Sequence, residues 1–249
     1  MNDPYESLIS SGNYSFLYTP TSIPTNETEE YFNEEYVGCL CTDICRADCP
    51  CYSRTGTIYE DGRIVQINDM PSYECNANCS CASKCSLKLV QFGPNSNMDI
   101  RWTEKKGYGL FAKSRIPKDS FICEYAGEII GKNEAELRYH NRAVVGESNY
   151  IFWAREHFGD KTIETIIDPT SIGNIGRFAN HSCKPNCNLL LIRIDCAYPK
   201  VCLFSNRIID AEQEITFDYG SCESVQPSLI ENPCHCEEAN CKGKLTEDL

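Results

Sequence analysis

Residues 174–186 read NIGRFANHSCKPN. Outward from this stretch lie KKGYGLFA at 105–112 and CEYAGEI at 123–129 on one side, and ITFDYG at 215–220 on the other. Runs of β-branched and aromatic residues of strand length fall at 98–103, 108–113, 121–125, 150–154, 162–167, 189–194, 201–204 and 215–217. Gly, Pro, Asn and Asp punctuate them, as in KKGYG, DPTSIGN and KPN. One segment breaks the pattern. At 133–145 an asparagine opens the run, Glu134 and Glu136 sit in its first turn and Arg138 and Arg142 follow, which predicts a helix. The predicted class is mainly β with one notable helix. Gly107 and Gly109 permit positive φ and close backbone approach, which suits either a hairpin turn or a cradle for the charged end of a cofactor.

The chain has 249 residues, enough to bury a core without cross-links, yet it carries 18 cysteines. Lys plus Arg is 23 against 36 for Asp plus Glu, a formal charge of -13. That sign is opposite to the footprint of a nucleic-acid binder, so no direct sequence-specific nucleic-acid partner is expected. An acidic surface favours a cationic partner instead. The start, MNDPYESLISSGNYSFLY, has no basic or apolar leader region, and no run approaches the roughly 18 apolar residues of a membrane span. The expectation is a soluble intracellular chain with reduced thiols and no membrane partner. Residues 1–38 are polar, with Pro20, Pro24 and a run of glutamates, and read as an extended lead-in.

Nine cysteines fall in two runs, Cys39, Cys41, Cys45, Cys49 and Cys51, then Cys75, Cys79, Cys81 and Cys85. Nine is odd, and cysteines one residue apart do not easily reach disulfide geometry with each other, so metal is the better reading. Zinc takes four thiolates, so three zinc ions need twelve ligand positions, and nine cysteines fill them if three bridge two ions each. Two separate four-cysteine sites with one cysteine left over satisfy the count as well. A second block, Cys234, Cys236 and Cys241, is one ligand short. Cys123, Cys183, Cys187, Cys196, Cys202, Cys222 and His235 are the candidates to complete it, and spacing does not choose among them.

The four motifs, in this order between two cysteine blocks, resemble the SET-domain protein lysine methyltransferases that carry cysteine-rich pre-SET and post-SET flanks. The likeness covers 39–243, and RFANHSCKPN followed by FDYG is its most specific part. Through REHFGDKTIETIIDPTSIGNIGRFANHSC the likeness is to members fused to a mariner transposase. The nine-cysteine flank is similar to that of the suppressor-of-variegation class, which acts on lysine 9 of histone H3. The resemblance implies a SET-domain β-clip fold with a knot-like crossing formed by Arg177 and 180–186. It divides the chain into a lead-in at 1–38, a pre-SET region with three zinc ions at 39–97, a catalytic domain at 98–221 and a post-SET region with one zinc at 222–249. It implies S-adenosylmethionine as cofactor, bound by Lys106, Gly107, Tyr108, Tyr150, Arg177, Asn180 and His181. Most members carry tryptophan where this chain has Tyr108. It makes Cys183 the fourth post-SET ligand and His235 a bystander. Cys123, Cys187, Cys196, Cys202 and Cys222 are then small buried hydrophobes.

Methyl transfer from a sulfonium to an amine needs a neutral, aligned lysine and a dry channel. Lysine titrates near 10.4, so removing its proton at pH 7 costs about 4.6 kcal/mol. An apolar aromatic channel beside a cation lowers that cost, and tyrosines suit it, offering an apolar body with one directed hydroxyl. By resemblance Tyr219 is the catalytic tyrosine, Tyr125 lines the channel and Phe217 sets how many methyl groups fit. The partner implied is a histone H3 tail or another basic lysine-containing peptide, with the protein in the nucleus on chromosomes. Lysine 36 of histone H3 or a non-histone lysine are alternative targets. A non-catalytic zinc-rich chromatin adaptor would explain the cysteines but leaves Tyr219, Asn180 and His181 without a use.

Overall fold

Backbone hydrogen bonding pairs the apolar runs into sheets. The chain is described here by a computed structural model that covers residues 3–12, 14–33, 36–220 and 233–245. Phe152–Phe158 folds back antiparallel on Lys161–Gly173, with Phe152 opposite Ile167 and Phe158 opposite Lys161. The first strand begins two residues inside the expected 150–154 and runs on to Phe158, and the second exceeds 162–167 at both ends. Gly127–Ile129 lies on the far side of Lys161–Gly173 with a register shift between Asp168 and Gly173. A second sheet runs Ser72–Tyr73, Cys187–Arg193, Lys200–Ser205, Phe121–Glu124. Met98–Thr103 and Gly107–Ala112 form a hairpin. Leu110, Ile122, Ile167, Ile175, Val201, Leu203 and Ile215 fill one core between these elements.

The helix is Lys132–Val145, and it ends at Gly146 in the left-handed region with φ 72°. Two of its arginines tie it to the sheet. Arg138 and Arg142 reach the fully buried Asp168 carboxylate at 2.9 and 2.7 Å. Burial opposes ionisation of Asp168, but hydrogen bonds from Arg142, Thr170 and Arg138 outweigh it and hold the carboxyl below the usual range. No helix among the described residues is long and apolar enough to cross a membrane.

The N-terminal lead-in packs into the main core. Tyr5 and Ile9, on and beside the short helix Glu6–Ser11, are buried in it. The Tyr5 hydroxyl donates to the Asn95 carbonyl at 2.7 Å and accepts from the Met98 amide at 3.1 Å. Leu17–Tyr18 pairs in parallel with Ile172 and Gly173, and Ile23–Pro24 with Glu128 and Ile129. A hairpin, Thr57–Glu60 with Arg63–Ile67, was not expected; Asp61 and Gly62, at φ 48° and 74°, turn its corner. The Asp-Gly pair is the sequence signal that marks it.

The NIGRFANHSCKPN stretch crosses ITFDYG. Asn180–His181 pairs in parallel with Thr216–Phe217. The Asn186 amide donates to the Glu214 carbonyl at 2.7 Å and its oxygen accepts from the Thr216 amide at 2.9 Å. Two segments about thirty-five residues apart are thereby locked side by side through one buried asparagine.

Candidate active site and thiol clusters

That crossing places the aromatic side chains. Phe217 sits at its centre, with the ring of Tyr219 at 4.9 Å, Tyr125 at 5.7 Å and Phe152 at 5.8 Å, centroid to centroid. Tyr125 and Phe152 are 5.8 Å apart, which closes a four-ring wall. Phe152 had no special signal in sequence; it is one more aromatic on a strand, placed by its pairing with Ile167. The four rings line a cavity of about 340 Å³, together with Lys106, Tyr150, Asn180, His181 and the C-terminal residues Pro233, Cys234 and His235.

Both tyrosine hydroxyls are oriented by backbone carbonyls. Tyr219 donates to Ala179 at 3.1 Å and Tyr125 to Tyr150 at 2.7 Å. Burial pushes both phenols well above their ordinary range, so both stay protonated at neutral pH. Neither can act as a base there. Each can orient a nitrogen by accepting from its N–H on a free lone pair.

His181 joins this wall to the C-terminal thiols. The Tyr219 amide donates to His181 Nδ1 at 3.2 Å, and Nε2 lies 3.4 Å from Cys183 Sγ. A backbone N–H only donates, so Nδ1 is the acceptor and the ring proton is on Nε2, facing sulfur. Burial lowers the His181 pKa against the opposing Asp218 carboxylate, which keeps the ring neutral.

The remaining expected cofactor residues divide. Asn180 donates to the Tyr108 carbonyl at 3.2 Å and to Glu214 at 2.8 Å, and Lys106 pairs with the same Glu214 carboxylate. Gly107 has φ 69°. Gly109 answers the close-approach half of the expectation, since a Cβ there would meet Glu214 at 2.8 Å and Asn180 at 3.2 Å. Tyr108 is not among the residues lining the cavity; its ring packs on Trp102, Tyr14 and Phe178. Arg177 does not line the cavity either, and its guanidinium stacks on Tyr150, which does.

Thiols form four groups whose sulfurs lie within 4.8 Å of one another: Cys39, Cys41, Cys45 and Cys49; Cys39, Cys51, Cys75 and Cys79; Cys39, Cys45, Cys75 and Cys81; and Cys183, Cys234, Cys236 and Cys241. Cys85 stands beside these groups, its sulfur accepting from the Cys45 amide at 3.4 Å. Four thiolates at 2.3 Å from one zinc stand about 3.8 Å apart. Sulfur separations of 3.5 Å for Cys39 and Cys45, 3.5 Å for Cys45 and Cys75, and 3.8 Å for Cys51 and Cys79 fit that edge. Cys183 and Cys234 are also 3.8 Å apart. The donor set is all sulfur, closed and tetrahedral in spacing, as structural zinc requires. Cys183, not His235, stands with the last three cysteines. Cys123, Cys187 and Cys202 are buried, and burial pushes their thiols up, Cys187 to about 12. Cys196 is only half-buried, and Cys222 lies outside the described residues.

A parallel crossing beneath an aromatic wall, with thiol groups on either flank in sequence, is the architecture of SET-domain lysine methyltransferases. Residues 107–220 match the SET domain and residues 6–88 the Pre-SET motif, and the chain belongs to the SET-domain histone-lysine methyltransferase family. It is 37% identical over 232 residues to the probable histone-lysine N-methyltransferase set-23 of Caenorhabditis briggsae, across 90% of this chain and 94% of that protein. It is 35% identical over 260 residues to human histone-lysine N-methyltransferase SETMAR, across 94% of this chain but only 37% of that protein. The crystal structure of the human SETMAR methyltransferase domain superposes with a TM-score of 0.83 at 33% identity, covering 96% of this chain and 91% of that one. KRYPTONITE, solved with methylated DNA, an H3(1-15) peptide and SAH, superposes with a TM-score of 0.74 at 26% identity, over 93% of this chain and 48% of that one.

Proposed function

We propose that this protein transfers methyl groups from S-adenosylmethionine to lysine 9 of the histone H3 tail, in the nucleus on chromosomes, and carries the product to di- or trimethyl-lysine. The observation that carries the reading is the wall of Tyr125, Phe152, Phe217 and Tyr219 beside a cavity about 340 Å³ in volume. When bound, the cofactor supplies an electrophilic methyl on a sulfonium. The chain's own residues do the rest. The rings exclude water and disfavour the ammonium form, so the lysine proton leaves for solvent before transfer. The Tyr219 hydroxyl, held by Ala179, aims the amine lone pair. Lys106, Tyr150, Asn180 and His181, which line the cavity, form the cofactor side, with Gly107, Tyr108 and Arg177 behind them, and a relative solved with SAH supports the choice of cofactor.

Three zinc ions at 39–85 and one at Cys183, Cys234, Cys236 and Cys241 hold the flanks of the catalytic domain at 98–221. Their chemistry is structural, since closed all-thiolate sites leave no position for a substrate. Mass spectrometry of recombinant histone H3 incubated with the protein and S-adenosylmethionine tests the reading. Methyl groups on lysine 9 support it, and modification confined to lysine 36 or absent from histone H3 overturns the target.

Product state turns on position 217. Phe217 is buried and presents carbon to the space in which a methylated nitrogen must rotate. A tyrosine hydroxyl there would bond the amine or fix a water that a methyl cannot replace without losing its hydrogen bonds. Phe217→Tyr is therefore expected to stay folded and active while its products shift to monomethyl-lysine, read by time-resolved mass spectrometry of an H3 peptide. An unchanged product distribution from a folded variant removes Phe217 from that role.

Substrate attraction should depend on salt. The formal charge of -13 favours a basic tail, and exposed charges are screened beyond about 8 Å at physiological ionic strength. Peptide KM should rise with salt while kcat holds. A salt-independent KM would mean that net charge plays no part in recognition.

A further inference from the structure

We propose that Phe16, in the N-terminal segment ahead of every cysteine, is a positioning residue of the cofactor site, acting through Arg177. The proposal rests on the reading that Arg177 belongs to that site. The Arg177 guanidinium carbon lies 4.2 Å from the centroid of the Phe16 ring and 4.4 Å from that of Tyr150, and Tyr150 lines the active-site cavity. No carboxylate or carbonyl anchors the Arg177 side chain among the described residues, and its Nε is buried without a partner. Arg138 and Arg142 are tied to Asp168 and Arg193 to Glu156, whereas Arg54, like Arg177, rests on rings, those of Tyr36 and Tyr73. Arg177 is held by ring faces alone. A guanidinium fixed in this way keeps its terminal N–H groups for an anion, and a carboxylate is the anionic group that S-adenosylmethionine carries.

Phe16 is itself fixed by backbone pairing. Leu17–Tyr18 pairs with Ile172 and Gly173, and the Thr19 amide donates to the Gly173 carbonyl at 2.8 Å, four residues before Arg177. Two residues earlier, Tyr14 packs its ring on Tyr108 at 5.3 Å and on Phe178 at 5.2 Å. Residues 14–19 thus brace both the Gly107 hairpin and the turn that bears Arg177. Loss of the Phe16 ring frees the guanidinium to swing away from Tyr150. The cofactor must then pay to order it again.

Calorimetric titration of the full chain with S-adenosylhomocysteine tests this without turnover. Phe16→Leu keeps apolar volume but removes the ring face, and the Kd should rise about fivefold, the order expected for one partly desolvated cation–π contact. Phe16→Tyr should restore wild-type affinity, and peptide KM at saturating methyl donor should not move. Arg177→Gln should weaken binding at least as much, and Phe16→Leu should add nothing on top of it. If Phe16→Leu does not stay folded at the assay temperature, Phe16→Met, with similar reach and no ring, takes its place. Arg177→Gln weakening binding while the Phe16 variant binds as the wild type overturns the proposal. Neither substitution changing Kd overturns the placement of Arg177 at the cofactor. Equal losses from Phe16→Leu with and without Arg177 also overturn the proposal, because the ring would then act by another route.

Discussion

Tyr219→Phe is expected to lower kcat about 100-fold or more, close to 3 kcal/mol of transition-state stabilisation, with cofactor affinity intact. The variant removes one oxygen and little else. The ring keeps its contacts with Phe217 at 4.9 Å and His181 at 5.4 Å, and the residue's amide still donates to His181 Nδ1. What is lost is the hydroxyl that Ala179 orients at 3.1 Å, the group proposed to accept from the lysine nitrogen. Because burial keeps this phenol protonated, its effect is alignment, not proton abstraction. Its removal should therefore leave the shape of the pH–rate profile unchanged while lowering its height. Single-turnover methyl transfer separates this from product release. Turnover within threefold of wild type would show that Tyr219 only fills the wall.

Much of this site was legible in the chain because strand pattern and motif spacing are local. The aromatic runs at 98–103 and 201–204 became strands at nearly those limits, and the helix differs by one residue at its start. Long-range pairing was not legible. Nothing local says that 180–181 pairs in parallel with 216–217, since that register depends on the Asn186 side chain bonding both to the Glu214 carbonyl and to the Thr216 amide. Phe152 escaped for the same reason: its ring reaches the wall only because the strand Phe152–Phe158 folds back along Lys161–Gly173. The packing of the lead-in was not legible in composition. Of its seven aromatics Tyr5, Tyr14, Phe16, Tyr18 and Phe32 pack against the core, and the polar residues between them mask the signal. Counting allowed a trinuclear thiolate cluster but could not say which three cysteines bridge.

The sulfur positions favour one assignment, which can be tested. Cys39, Cys45 and Cys75 are the residues shared between groups, while Cys41, Cys49, Cys51, Cys79 and Cys81 each stand in one. Cys39 falls in all three of these groups; with Cys85 taking its place in the third, six terminal and three bridging thiolates would complete a three-zinc cluster. On this assignment Cys75→Ser would take a ligand from two metals at once, whereas Cys41→Ser would take it from one. Structural zinc contributes on the order of 10 kcal/mol of folding free energy per site, comparable with the whole stability of a domain. Cys75→Ser should empty the segment 39–85 of metal and unfold it. The damage should spread, because Ser72–Tyr73 pairs with Cys187–Arg193 and the Glu74 amide donates to the Arg193 carbonyl at 2.8 Å, so an edge strand of the catalytic sheet goes with it. Elemental analysis should find about four zinc ions per chain in the wild type and about one in Cys75→Ser, at the C-terminal site. Far-ultraviolet circular dichroism should show the loss of structure in parallel. Cys41→Ser should retain more metal and a higher melting temperature. About three zinc ions in the wild type would instead match two independent four-cysteine sites plus the C-terminal one, and equal losses from the two variants would remove the bridging role from Cys75.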